Sequence, residues 1–350
     1  MAVPLAEFCR QLPKVELHAH LNGSISSATM QTLLKRYKNR LEREGNETPQ
    51  LWETTILKGE KRALADCFLM FKMIHTLVND EESVRIVAHE VVREFADDGV
   101  VYLELRSTPR ANPATGMTKH SYVQAILCGI DKALSECRTT MHVRLLLSID
   151  RRQSVAEAMD TVELALAHVE QTPHHTRVVG IDLSGDPTVG DIPALLPVLH
   201  SAKERGLKLS LHVSEIPQRN EETALLLSVC PDRLGHGTFI HQEAGGSPEL
   251  EERVLAMKTP IEVCLTSNVK GQTVSNYENH HLPLWHKRGH PIVICTDDKG
   301  VFSTTLSEEY AIAGETFFLS QEQLRQLASH AVEHIFEHDL KNELLKLSDV

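Results

Sequence analysis

Aromatic residues are scarce in this 350-residue chain, at 5%. That scarcity argues against a stacking platform for single-stranded nucleic acid, which presents ring after ring to the bases. Paired cysteines are missing as well. The seven cysteines, at positions 9, 67, 128, 137, 230, 264 and 295, are odd in number and contain no CxxC pair. They read as free thiols of a reducing compartment rather than a disulfide framework. No apolar run approaches the ~20 residues that span a bilayer, and residues 1–14 lack a basic start followed by an apolar stretch. The cytosol is the expected compartment, with no membrane partner. Positive charge is also in deficit, with a formal net charge of −12. The one basic cluster, Lys35–Arg43, reads as the solvated face of a helix, so a nucleic-acid polymer is not an expected partner. No low-complexity linker, fixed-period repeat, GxGxxG or P-loop motif occurs.

What the chain does contain is an ordinary globular balance, 41% apolar and 24% charged, so disorder and fibrous architectures are excluded. Short apolar segments rich in Val, Ile and Leu alternate with longer amphipathic ones. Strands are predicted at Val15–His20, Val101–Arg106, Val143–Ile149, Val179–Leu183, Leu207–Val213, Arg233–Gly235, Ile261–Leu265 and Pro291–Cys295. Helical periodicity lies between them, as at Glu82–Asp98, His120–Glu136, Ser154–Glu170 and Ile192–Arg205. This alternation predicts an α/β fold with a parallel sheet covered by helices. Eight such strands fit a single (β/α)8 TIM barrel domain over residues 1–350. The segment from Ser24 to Asp98 exceeds one crossover helix, so extra helices are expected over the C-terminal mouth. Leu64, Phe68, Phe71, Ile74, Leu77 and Val78 recur there at helical spacing, as core residues or as a lid on an apolar base.

Metal-binding and polar residues collect at the predicted strand ends, where barrels build their sites. Strand one ends in His18-Ala19-His20, and residues two apart on a strand point the same way, so both imidazoles can reach one ion. Strand five ends in His212-Val213-Ser214-Glu215, strand six in Gly235-His236-Gly237, and strand eight in Thr296-Asp297-Asp298. An HxH or an Asp-Asp pair alone is weak evidence. Four such groups in order around a barrel are not readily obtained by chance.

Together with Val15–Leu21 and Ser267-Asn268, these motifs resemble the adenosine/AMP deaminase family over about residues 12–340, closest to its adenosine deaminase-like branch, whose members deaminate N6-methyl-AMP. The resemblance implies a barrel of the metal-dependent hydrolase type and one Zn2+ per chain, held by His18, His20, His212 and Asp297. It implies that His236 orients a water and assists its deprotonation, that Glu215 protonates purine N1, and that Asp298 hydrogen-bonds the purine and the attacking hydroxyl. Gly185, without a side chain, would let its backbone N–H approach the purine edge. Strand four ends Leu183-Ser184-Gly185 with no lysine, so a carbamylated lysine bridging two metals is not expected. The HxE plus PCxxC signature of cytidine-type deaminases is absent too. One competing motif, His334-Ile335-Phe336-Glu337-His338, fits the HxxEH of some metalloproteases and reads instead as a surface helix beyond the last strand.

Substrate choice rests on fewer residues. Adenosine-specific relatives carry an Asp two residues after the second histidine, where this chain has Asn22. A carboxylate there would repel a 5′-phosphate dianion, whereas a carboxamide can donate to it. Arg106, Ser107, Thr108 and Pro109 follow strand two and offer a cation and two hydroxyls to a phosphate, unless Arg106 is tied to a neighbouring carboxylate. His75 can reach the same group, and Asp150 can bind ribose hydroxyls or anchor Arg106. The expected partner is a small purine nucleotide, N6-methyl-AMP by the resemblance, converted to IMP and methylamine by a monomer. The alternatives are adenosine deamination to inosine and ammonia, another hydrolytic reaction on the same barrel, and a catalytically dead ligand-binding relative.

Overall fold

The computed structural model describes residues 3–44, 50–137, 140–171 and 177–348. Its eight parallel strands run in sequence order: β1 (Lys14–His20), β2 (Val100–Ser107), β3 (His142–Asp150), β4 (Val178–Ser184), β5 (Lys208–Val213), β6 (Arg233–His236), β7 (Ile261–Val263) and β8 (Ile292–Ile294). A parallel bridge between Ala19 and Asp297 brings the last strand back to the first, with His20 N–H donating to Asp297 O at 3.1 Å and Asp297 N–H to His18 O at 2.8 Å. Closure therefore passes through the very residues that carry the expected ligands.

Helices follow the strands because capping residues start them where the apolar periodicity begins. Asp80 accepts from Ser83 N at the start of Glu81–Asp97, Thr118 from Ser121 N at Lys119–Glu136, and Asp191 from Ala194 N at Ile192–Glu204. Between β1 and β2 lie three extra helices, Ser27–Glu44, Gln50–Leu57 and Leu64–Leu77. Arg62 fastens them to the short helix after β8 (Lys299–Phe302), donating to Gly300 O at 2.6 Å and to Val301 O at 3.1 Å while also reaching Ser27 Oγ and Ile56 O. The added helices thus stand at the C-terminal mouth. Of the apolar residues at helical spacing there, Ile74, Leu77 and Val78 are buried in the core and Phe68 is exposed.

The two faces of each strand differ in kind. The outward faces pack Val, Leu and Ile against the helices, while the barrel interior is ionic. Glu16, Glu104, Arg106, Asp182, Ser210, Arg233 and Glu262 are all buried there. Arg233 donates to both Glu104 and Glu262, its NH1 donates to His334 O at 2.9 Å, and its guanidinium stacks on Phe336 at 3.6 Å. The His334–His338 motif therefore closes the barrel floor as an irregular turn, with Phe336 N–H donating to Glu104 Oε1 at 2.7 Å. It is neither a metal-binding helix nor the expected surface helix, because its backbone is taken up by the barrel's charges. A second correction falls at β7, which ends at Val263; Leu265 opens the short helix Leu265–Lys270, which carries Ser267 and Asn268.

Candidate active site and metal centre

Strand ends bring the four expected ligands together. His18, His20, His212 and Asp297 place one donor atom each within 4.8 Å of all the others. His20 Nε2 lies 3.2 Å from His212 Nε2 and 3.3 Å from Asp297 Oδ1, and His18 Nε2 lies 3.5 Å from the same oxygen. A tetrahedral ion with bonds of ~2.0–2.1 Å holds its ligand atoms ~3.3–3.4 Å apart, so the spacing fits one zinc-sized ion. His18 Nε2 is buried without a hydrogen-bond partner, as expected of a lone pair reserved for a cation.

The other ring nitrogens are oriented from behind. His18 Nδ1 donates to Glu262 Oε2 at 2.5 Å, and His212 Nδ1 lies 3.0 Å from Asp182 Oδ1. Such carboxylate–histidine pairs fix which nitrogen faces the metal. Burial and the Arg106 charge both disfavour protonated His18, yet Glu262 and Asp297 outweigh them and lift it to about 9. Burial brings His20 down to about 3.

Backbone strain aims the remaining groups. Ser214, His236 and Asp297, at the ends of β5, β6 and β8, have φ of 48°, 59° and 61°. Left-handed backbone at non-glycine residues costs on the order of 1–3 kcal/mol each and gathers at functional sites. It turns His236 Nε2 to within 3.9 Å of Asp297 Oδ2, and the same turn places Glu215 with His212 and His236. Glu215 Oε1 is shut away from solvent with no partner, and burial raises its carboxyl above the ordinary range. Asp298 is raised well above it, by burial first and then by Asp297. Its Oδ1 fills the notch left by Gly23, where a Cβ would come within 1.5 Å. Ser267 Oγ donates to Asp297 Oδ2 at 2.6 Å, leaving Oδ1 for the ligand cluster.

At the mouth the expectations divide. Asn22 Nδ2 donates to Tyr122 OH at 3.2 Å, its Oδ1 is buried and unpartnered, and Ser107 Oγ sits 2.8 Å from the same tyrosine oxygen. His75 Nδ1 accepts from Arg110 NH1 at 2.8 Å, and Arg110 lies over the Tyr122 ring. His75 is held down by burial and then by the charges of Arg110 and Arg152. Thr108 is half-buried in the same loop, and Pro109 is buried there without an N–H to offer. Gly185 has φ 104° and sits against Asp150, which is engaged by Arg152 at 2.5–2.9 Å.

Arg106 contradicts the expectation of a phosphate contact. It is fully buried: NH1 donates to Asp182 Oδ1 at 2.9 Å, and NH2 to Glu262 Oε2 at 3.0 Å and to Leu17 O at 2.6 Å. Two buried carboxylates need a buried cation, and that need holds the side chain inside the barrel. Asp150 accordingly anchors Arg152 and not Arg106. Tyr122, Arg110 and Arg152 are the mouth residues that sequence reasoning missed. Arg110 stands one residue beyond the Arg106–Pro109 stretch and was the signal available; Tyr122 lies on a helix with nothing in its surroundings to mark it.

Comparison with known proteins agrees with this geometry. The family model described as Adenosine deaminase matches residues 13–349. The chain is 50% identical over 332 residues to the N6-Methyl-AMP deaminase of Danio rerio, covering 94% of this chain and 92% of that one. The apo structure of the N6-methyl-AMP deaminase from Arabidopsis thaliana superposes with a TM-score of 0.89 at 38% identity, covering 98% of both chains. A crystal structure of arabidopsis ADAL complexed with IMP gives 0.87 at 38% identity, again over 98% of both.

Proposed function

The chain belongs to the adenosine deaminase family of hydrolytic deaminases, and we propose that its substrate is N6-methyl-AMP, cleaved by water to IMP and methylamine. The observation that carries this reading is the neutral carboxamide of Asn22 in a mouth corner shared with Tyr122, Ser107, Arg110 and His75. A 5′-phosphate entering that corner meets an arginine and hydrogen-bonding groups and no carboxylate from Asn22. Relatives named for N6-methyl-AMP at 50% identity, and a related structure complexed with IMP, support the same assignment.

His18, His20, His212 and Asp297 would hold one zinc ion, which when bound acts as a Lewis acid and eases loss of a proton from water near neutral pH. The protein's own residues supply the rest. Glu215, whose carboxyl burial raises above the ordinary range, delivers a proton to purine N1, so that C6 accepts the water oxygen without full charge building on the ring. His236 orients the water. Asp298, seated over Gly23, hydrogen-bonds the purine and the incoming hydroxyl. The Gly185 N–H faces the purine edge and Asp150 the ribose hydroxyls. Collapse of the adduct breaks the C6–N bond; the amine leaves with a proton, and the oxygen from water remains at C6. We place this work in a single domain spanning the chain, acting as a monomer in the cytosol. Among the described residues, no helix is long and apolar enough to cross a membrane.

Turnover of N6-methyl-AMP in water enriched in heavy oxygen tests the reaction. IMP should carry one heavy oxygen at C6 and methylamine should appear in equal amount. Unlabelled IMP, or no methylamine, would sink it.

A further inference from the structure

Behind His236 lies a chain of buried polar groups that assigns the position of its proton. His280 is the fixed end. The backbone N–H of Leu282 donates to His280 Nδ1 at 3.0 Å, and a backbone N–H can only donate, so the His280 proton sits on Nε2. His280 Nε2 lies 2.9 Å from Asn268 Oδ1, which can only accept. The orientation of the Asn268 amide follows from this, and its Nδ2 faces the other way. There it reaches two groups, Thr273 Oγ1 at 3.3 Å and His236 Nδ1 at 3.4 Å. Thr273 Oγ1 gives its own hydrogen to Asn268 O at 3.1 Å, which leaves it a lone pair for Nδ2. The reversed amide would set an acceptor against the Thr273 lone pair and an N–H against the His280 N–H, so both contacts agree on one orientation.

We infer that Asn268 and His280 act as positioning residues: their hydrogen-bond chain keeps His236 neutral with its proton on Nε2, so His236 meets the attacking water as a hydrogen-bond donor and not as its base. An NH2 group facing Nδ1 requires a bare nitrogen there. The imidazolium and the Nδ1–H tautomer would each oppose N–H to N–H in a buried site. The remaining proton lies on Nε2, the nitrogen that faces Asp297. The residue's left-handed backbone is held in the same direction, because His281 Nε2 donates to the His236 carbonyl at 2.9 Å. This inference rests on the proposed deamination and alters one expectation drawn from the resemblance. His236 orients water by donating to a lone pair and takes no proton from it.

A long-range nitrogen–proton correlation spectrum of the zinc-loaded protein with labelled histidines reads the tautomer directly. The His236 signals are identified by their loss in His236→Gln. A protonated Nε2 and a bare Nδ1 are expected; a protonated Nδ1 overturns the inference. Asn268→Asp puts an acceptor opposite Nδ1, which should draw the proton there and lower kcat about 100-fold with little change in KM, the cost typical of one misplaced donor. A kcat within twofold of wild type in a variant whose proton has moved also overturns it. Where Asn268→Asp does not fold, the wild-type spectrum decides alone. A protein with the Nε2 tautomer but no deaminase activity contradicts the proposed function and leaves this inference standing. Full activity with the Nδ1 tautomer does the reverse.

Discussion

Replacing Arg106 by lysine tests how the metal centre is built from behind. The guanidinium uses NH1 for Asp182 and NH2 for Glu262, and each carboxylate oxygen it holds is the one facing a ligand histidine. Lysine keeps the charge but brings one nitrogen where arginine brings two in a rigid fork, so one carboxylate loses its contact with residue 106. Losing one such outer contact costs roughly 10–100-fold in metal affinity, about 1.4–2.7 kcal/mol. Because either loss loosens the carboxylate behind His18 or His212, Arg106→Lys should weaken zinc binding by about that factor. Chelator competition at fixed pH measures it, and circular dichroism confirms the fold. Melting the protein with and without zinc separates the two effects: the apoprotein loses the ion pair, and the zinc-loaded protein loses the ion pair and affinity together. Zinc affinity within twofold of wild type, in a folded variant with a lowered Tm, would refute the reasoning and leave Arg106 as packing alone.

Three further outcomes are expected. Asn22→Asp sets a carboxylate in the corner assigned to the phosphate; at an effective dielectric near ~20 the repulsion is roughly 3–4 kcal/mol, so kcat/KM for the nucleotide should fall about 100-fold or more while adenosine turnover holds or rises. Glu215→Gln removes the proton donor and should lower kcat about 10²–10⁴-fold at unchanged zinc content, and a fully active variant would remove Glu215 from that role. Glu309 accepts from Thr266 N–H at 3.1 Å and Thr304 Oγ1 at 2.7 Å, and burial pushes it up to about 7. A carboxyl raised on folding binds more protons folded than unfolded, so stability falls as pH rises from its ordinary value through about 7. Glu309→Gln should flatten the decline of Tm across that window; an unchanged slope would count against the assignment.

The alternation of apolar and amphipathic segments was legible because parallel strands buried on both faces cannot hide their composition, and seven of the eight predicted strands overlap the observed ones closely. The seventh is shorter than its apolar run, since Cys264 and Leu265 are apolar whether they continue a strand or start a helix. The convergence of His18, His20, His212 and Asp297 was legible for a related reason: strand ends need little tertiary information to meet. Arg106 was not, because its Cα is level with His20 in the ladder while its guanidinium turns down to the Leu17 carbonyl. Depth within a barrel depends on partners on other strands, here Asp182 of β4 and Glu262 of β7. The same holds for His334–His338, whose role on the barrel floor is set by Arg233 and Glu104, and for Tyr122, brought to Asn22 by a helix packing that no local motif announces. The left-handed turns at Ser214, His236 and Asp297 left no trace in composition, since residues of these types also occupy ordinary strand ends.

The measurement that bears most directly on the central claim is the initial rate on N6-methyl-AMP, AMP and adenosine at equal concentrations, followed by the appearance of IMP or inosine. Strong preference for N6-methyl-AMP is the predicted result, with adenosine the poorest of the three. Preference for adenosine would contradict the phosphate assignment of the Asn22, Tyr122, Ser107, Arg110 and His75 corner.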